Sequence, residues 1–451
     1  MLGELMPGRA QLESTVVELL RRLIRFNTVN PPGAEAEAQH FIKGVLEEAG
    51  FEVELLARDP GRPNLVATLA ALDNADSPSA RGGPTVALLG HVDTVLANPS
   101  EWRVDPWSGE LRDDCVWGRG AQDMKGQVAA ELAAVVELAQ AGWRPGSGIL
   151  KLIITADEEA GGGYGARWLC RQHADKVRAD IVINEGGGQM FVYEGRRYFR
   201  VGCAEKGFSR FDIVTHGRAG HASVPRMGDN ALLKMAPLLD RLANNRPAYD
   251  LTPEPRAILA ALFGGEPAEA DLPELLARIE LTDPRLAILL EPTLGVTLTP
   301  TMAEASQKVN VIPARARIRV DCRVPPGFDA THAEMRAREV LGDGDYELEF
   351  AESAIGNASP HDTPLMDAIH EWVASVDPEA VAVPSVLPGF TDSRWFREAF
   401  PDCVAYGFFP QMKMDMYESE PLIHGADERI PVDDLTLAAE FFAHVVRKLL
   451  G

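Results

Sequence analysis

Three short apolar runs constrain the fold most. TVALLG (85–90), KLIITA (151–156) and DIVINE (180–185) are each long enough for a strand and are apolar on both faces. Between the first two lies Met124 to Ala141, with Ala, Val and Leu at helical spacing. Strands buried on both faces, alternating with helices, predict an α/β sheet that is largely parallel and covered on either side. Upstream, a capping box from Thr15 to Glu18, with Ser14 as the other candidate cap, predicts a first helix with Val16, Val17, Leu20 and Leu23 inward. Pro31, Pro32 and Gly33 then force a loop. A second helix from Ala34 to Gly50 and the strands FEVELLA and NLVATLA follow.

After about residue 197 the pattern changes to two-residue alternation. Ala316, Ile318, Val320, Cys322 and Val324 fall on one side, and Arg317, Arg319, Asp321 and Arg323 on the other. That is a half-exposed antiparallel strand. Helices are expected at Asn230 to Ala243 and Thr331 to Leu341, with a Pro- and Glu-rich helical embellishment near 250–290. From about 358 the α/β pattern returns. A chain of 451 residues is too long for one simple domain. The expected organisation is a catalytic domain over 1–197 and 357–451, interrupted by a smaller α+β lid or dimerisation domain over 198–356.

Charge and cysteine content exclude several classes. Lys and Arg number 44 against 67 Asp and Glu, a net charge of −23. Such a chain does not bind nucleic acid or anionic membrane by bulk electrostatics. The five Cys, at 115, 170, 203, 322 and 403, contain no CxxC pair. A disulfide framework is therefore not expected, and a reducing cytoplasm is the simplest setting. The N-terminal residues show no secretory signal, and no apolar run is long enough to cross a membrane.

In open α/β sheets, ligands bind beyond the carboxyl ends of the strands. There TVALLG runs into His91 and Asp93, KLIITA into Asp157, Glu158 and Glu159, and DIVIN into Glu185. Asp123 precedes a long helix, and His424 lies in LIHGADE before the last one. Each alone has an ordinary explanation: a hydrogen-bonded histidine, a solvated turn, a helix cap. Together, two His and three carboxylates match the mixed nitrogen and oxygen preference of zinc, and suit a two-metal site about 3.5–4 Å across. Asp93 is placed to receive the second imidazole N–H of His91, and Glu158 beside Glu159 leaves a carboxylate free as a base.

The ordered motifs GHVDTV, GRGAQDMKG, ITADEEAGG, NEGGG, GHASVP, NVIPA and IHGADE resemble the di-zinc aminoacylase, carboxypeptidase S and succinyl-diaminopimelate desuccinylase family of metallohydrolases. The resemblance runs from FNTVNPPG at 26 to the last helix. It implies a zinc-peptidase-like catalytic domain with an inserted lid. By motif, Asp123 resembles the bridging carboxylate, His91 and Glu185 the other ligands of one Zn²⁺, and Glu159 and His424 those of the second. Co²⁺ and Mn²⁺ are the substitutes for zinc that the resemblance implies. Glu158 resembles the general base, Asp93 the acid behind His91, and His221 the lid histidine that reaches the site, often from a partner subunit. A cis bond between Asp123 and Met124 is also implied.

For the substrate's free carboxylate the candidates are Arg323 with Asn310 beside it, Thr391 facing them, and Lys206. NEGGG resembles the carboxypeptidase S branch, so the expected substrate is a dipeptide, a peptide C-terminus or an N-acyl amino acid. Rival readings are a deacylase of the acetylornithine or succinyl-diaminopimelate type, an aminopeptidase, and a non-catalytic binding relative. Beside the small-molecule substrate, two assemblies stay open: a homodimer through the inserted domain, or a monomer in which the 250–290 stretch covers that surface or supplies the lid.

Overall fold

A computed structural model describes residues 8–71 and 82–451. Residues 1–7, the first half of the N-terminal stretch that bears on a secretory signal, lie outside the described residues. The chain divides into two units, one of residues 1–203, 359–385 and 391–451, the other of 204–358 and 386–390.

Among the described residues, the first unit is built on a nine-stranded sheet. Its four central strands, Ile149–Thr155, Thr85–His91, Ile181–Asn184 and Val404–Gly407, run parallel and lie side by side in that order. Antiparallel pairings flank them, among them Glu52–Leu56 with Asn64–Ala70 and Asn64–Ala70 with Ile149–Thr155. The three apolar runs are thus neighbours, and Thr85–His91 is buried from Val86 onward.

One face of this sheet is covered by Arg9–Arg25, Ala36–Glu48, Lys125–Gln140, Pro364–Val376 and Val432–Leu450. The other is covered by Ala166–Gln172, Ala174–Val177 and Ser393–Ala399. Lys125–Gln140 is buried on every side. Its alanines let the Arg9–Arg25 and Val432–Leu450 helices pack closely on it. The first helix begins at Arg9 with Gly8 as its cap, not at Ser14 or Thr15. Leu12 extends the buried stripe one turn upstream, and the Thr15 hydroxyl donates to Glu137 Oε1 at 2.6 Å instead of capping.

The second unit holds an antiparallel sheet in the order Thr297–Glu304, Arg315–Val324, Gly207–His216, Glu347–Ala354. Ala316, Ile318, Val320, Cys322 and Val324 face the core formed with Ala231–Asn244 and Ala330–Leu341, and the arginines between them are partly exposed. The 250–290 stretch forms three short helices, Pro253–Phe263, Leu272–Thr282 and Pro284–Leu290. All five cysteines are free thiols. Among the described residues no helix is long and apolar enough to cross a membrane.

Candidate metal centre

The ends of the central strands bring six side chains together. His91 closes its strand, with Nε2 3.1 Å from Asp123 Oδ1, 3.7 Å from Glu185 Oε1 and 4.0 Å from Glu158 Oε2. His424 Nε2 stands 3.1 Å from Asp123 Oδ2 and 3.3 Å from Glu159 Oε2. Asp123 therefore lies between the two imidazoles, one oxygen toward each. The peptide bond after it is cis.

The loops that present these groups are held by buried carboxylates. Glu428 is fully buried and accepts from the backbone N–H of Gly120, Gln122 and Asp123, and from Arg119 Nη1 at 2.7 Å. Arg119 Nη2 also donates to the His424 carbonyl at 3.4 Å, which ties the Asp123 and His424 loops to one ion pair. The Asp93 carboxylate accepts from the backbone N–H of Glu158 at 3.1 Å and Glu159 at 3.2 Å, and from Asn30 Nδ2 at 2.8 Å. Its carboxylate is 3.5 Å from His91 Nδ1, whereas its own carbonyl oxygen is at 2.9 Å. The imidazole is thus oriented chiefly by the Asp93 carbonyl, and the carboxylate mainly fixes the turn that carries the two glutamates.

Electrostatically the cluster is a crowded anion site. Burial and the neighbouring Glu185 push Glu158 well up. Burial and Asp123 do the same to Glu185. Burial raises Glu159 as well, against the pull of His424. Burial disfavours the charged form of His91, but hydrogen bonds to Asp123 and Asp93 outweigh it and raise its pKa. His424 is held up to about 10 by Asp123 and Glu159. Glu159 Oε1 is buried with no hydrogen-bond partner among the described residues. Two sets of donor atoms, His91 with Glu158 and Glu185, and His91 with Asp123 and Glu159, each lie within 4.8 Å of one another. Imidazoles among buried, mutually repelling carboxylates form a donor set that suits divalent cations.

The remaining candidate residues are distributed differently. Thr391 is buried in the first unit, its hydroxyl accepting from Asn184 Nδ2 and Ser393 N. Lys206 is buried in the second unit, where its ammonium donates to the carbonyls of Pro292 and Gly295 at 2.7 Å each, and burial lowers its pKa to about 7. It ties the helical stretch to the sheet and offers little to a ligand. His221 is exposed and pairs with Val311, and the Asn310 carbonyl accepts from Ala222 N, so His221 and Asn310 are neighbours.

Arg323 is not beside Asn310. It pairs with Phe208 at one end of its strand, whereas Arg315 pairs with His216 at the other, next to the bond from Gly217 N to the Ala314 carbonyl. Eight residues of extended chain separate those ends by about 26 Å. Arg323 Nε donates to Asp321 Oδ2 at 2.9 Å, and its guanidinium lies 6.0 Å from the Phe390 ring.

A family model described as peptidase family M20/M25/M40 matches residues 87–448. The chain belongs to this family. The M20 match covers all the clustered side chains. Among curated relatives, a probable carboxypeptidase S-like protein of Dictyostelium discoideum is 27% identical over 80% of this chain and 71% of its own length. A succinyl-diaminopimelate desuccinylase of Methylocella silvestris is 27% identical over 97% of this chain and 98% of its own. Among solved structures, an M20 family metallo-carboxypeptidase from Sulfolobus solfataricus superposes with a TM-score of 0.65 at 20% identity, over 99% of both chains. The protein is accordingly a hydrolase of a metal-dependent family.

Proposed function

We propose that this M20 hydrolase cleaves the amide bond of a small substrate carrying a free carboxylate, a dipeptide, a peptide C-terminus or an N-acyl amino acid, with two zinc ions per chain. The observation that carries the reading is Asp123 set between His91 and His424, with Glu158, Glu159 and Glu185 around them. His91, Asp123 and Glu185 would hold one metal, and Asp123, Glu159 and His424 the other, with Co²⁺ or Mn²⁺ as substitutes. Bound there, the metals would supply Lewis acidity, which lowers the pKa of water and polarises a carbonyl. Glu158 takes the proton of the attacking water and returns it to the leaving amine. Asp93 keeps Glu158 and Glu159 aimed.

His221 supplies a donor to the developing oxyanion. Arg323 binds the substrate carboxylate as the bidentate cation, while Asn310 acts with His221, beside which it lies. Because His221 and Asn310 stand far along the strand from Arg323, a complete site that uses all three draws them from two copies of the chain. A homodimer is supported by the exposed apolar side chains Met227, Leu232, Leu233 and Val309 of the second unit, near an open groove of about 610 Å³. A non-catalytic relative would be expected to lack a ligand or the base, and none is missing here. The free cysteines suit a reducing cytoplasm.

The relative named as a carboxypeptidase S-like protein supports the peptide or acyl-amino-acid reading, and the one named as a desuccinylase supports a deacylase as the alternative. A panel of N-acyl amino acids, dipeptides, succinyl-diaminopimelate and amino acid amides, assayed with added zinc, separates them. Turnover of the carboxylate-bearing substrates, lost on chelation and restored by zinc, is expected. Turnover of the amides alone would overturn the proposal.

A further inference from the structure

Beneath the turn that carries Glu158 and Glu159 lies a buried chain of charges that starts outside the family match at 87–448, at Glu35 and Arg62, and ends inside it, at Asp157. Glu35 is fully buried and pairs with Arg62, which donates to it through Nη2 at 2.6 Å and Nε at 3.1 Å. The same guanidinium reaches Asp157 Oδ1 through Nη1 at 2.9 Å. Asn30 Nδ2 then bridges Asp157 Oδ1 at 3.1 Å and Asp93 Oδ2 at 2.8 Å. Asp157 Oδ2 accepts from Tyr164 N at 3.0 Å, across the turn.

Asp157 precedes Glu158 and has φ 66, in the left-handed region that few non-glycine residues adopt and that Asp enters more readily than most. Arg62, Asn30 and the Tyr164 N–H hold its carboxylate, and Arg62 is the one cation among them. The guanidinium is itself enclosed. It lies 5.0 Å from the Tyr164 ring, and a Cβ on Gly33 would fall 2.1 Å from Arg62 Nε, so only glycine lets the 31–33 loop close over it. The cation is shared, with Glu35 setting its position and Asp157 receiving it.

We propose that Arg62, clamped by Glu35, is a positioning residue that fixes the Asp157-Glu158-Glu159 turn, and so places Glu158 for proton transfer. The proposal rests on the reading of Glu158 as the base. Stability and positioning separate by substitution. Arg62→Met leaves Glu35 buried without its cation, so thermal stability should fall, and the double variant Glu35→Gln/Arg62→Met should recover part of it. If the role is positioning, kcat should stay about tenfold to hundredfold low in both variants, with KM within about threefold of the native value. In the metal-loaded enzyme, amide hydrogen exchange should accelerate in residues 157–164 and stay native in the Lys125–Gln140 helix. Arg62→Lys should show the same changes to a smaller degree and keeps the test available if the double variant does not fold.

A folded double variant, or Arg62→Lys in its place, with native kcat or native exchange in 157–164 would overturn the proposal and leave Arg62 a staple of the fold. Failure of Glu158 as the base would instead appear as activity in Glu158→Gln, where the Arg62 pairings are intact.

Discussion

At the scale of single residues, the cluster depends on buried carboxylates that hold the backbone of its loops. Glu428 receives three backbone N–H groups and Arg119. Glu428→Gln turns one accepting oxygen into a donor aimed at other donors, which should cost about 1–3 kcal/mol. Denaturant unfolding should show that loss, and the metal content of the purified variant should fall with it, because the Asp123 and His424 loops share this anchor. Asp123→Asn removes the carboxylate set between the two imidazoles, and elemental analysis should find fewer than two metals per chain. Most of the clustered groups were legible because they are polar residues at the carboxyl end of an apolar strand or just before a helix; His424, in a turn, was legible only through the IHGADE motif. Glu428 and Arg62 were not, because their partners lie far away in sequence; 305 residues separate Glu428 from the Asp123 N–H it accepts. Asp93 was legible as an orienting residue, but which of its oxygens faces the imidazole depends on a backbone path that spacing does not encode.

At the scale of elements, the Lys125–Gln140 helix carries an acid in an apolar setting. Glu131 is fully buried, with Gln127 donating to one oxygen at 2.9 Å and the other without a partner among the described residues. Burial drives its pKa well up. The folded chain therefore holds this proton more tightly than the unfolded chain does. Between the unfolded and folded pKa values the native state binds more protons, so stability contributed here is full at low pH and is lost as pH rises. Glu131→Gln, neutral at every pH, should raise the melting temperature at pH 8 and change it little at pH 4; an equal effect at both pH values would show that the charge is not the cause. The same helix was legible from its alanine and leucine spacing, and the Arg315–Val324 strand from its strict alternation. The start of the first helix was not, because Thr15 has a cap's chemistry but spends its hydroxyl on Glu137. The separation of Arg323 from Asn310 was hidden for a related reason: both lie within a short stretch of sequence, and only strand register shows that an extended strand carries them apart.

At the scale of the whole molecule, the change from buried parallel strands to alternating antiparallel ones was visible in the sequence, because a two-faced core and a one-faced core demand different patterns. The apolar surface of the second unit was less visible, since Met227, Leu232, Leu233 and Val309 are exposed although their hydrophobicity reads as core. Sedimentation should find twice the chain mass, and Leu233→Glu should shift it to one; a native mass in that variant would place the contact elsewhere. The acid excess of the chain lies mostly outside the cluster, so it does not argue for a cationic substrate. The central claim is that Glu158 moves the proton while its neighbours hold the metals. Its most direct test is steady-state turnover by Glu158→Gln together with elemental analysis of the same sample. The prediction is a fall in kcat of about a hundredfold or more with two metals per chain retained, and near-native kcat in the fully loaded variant would contradict it.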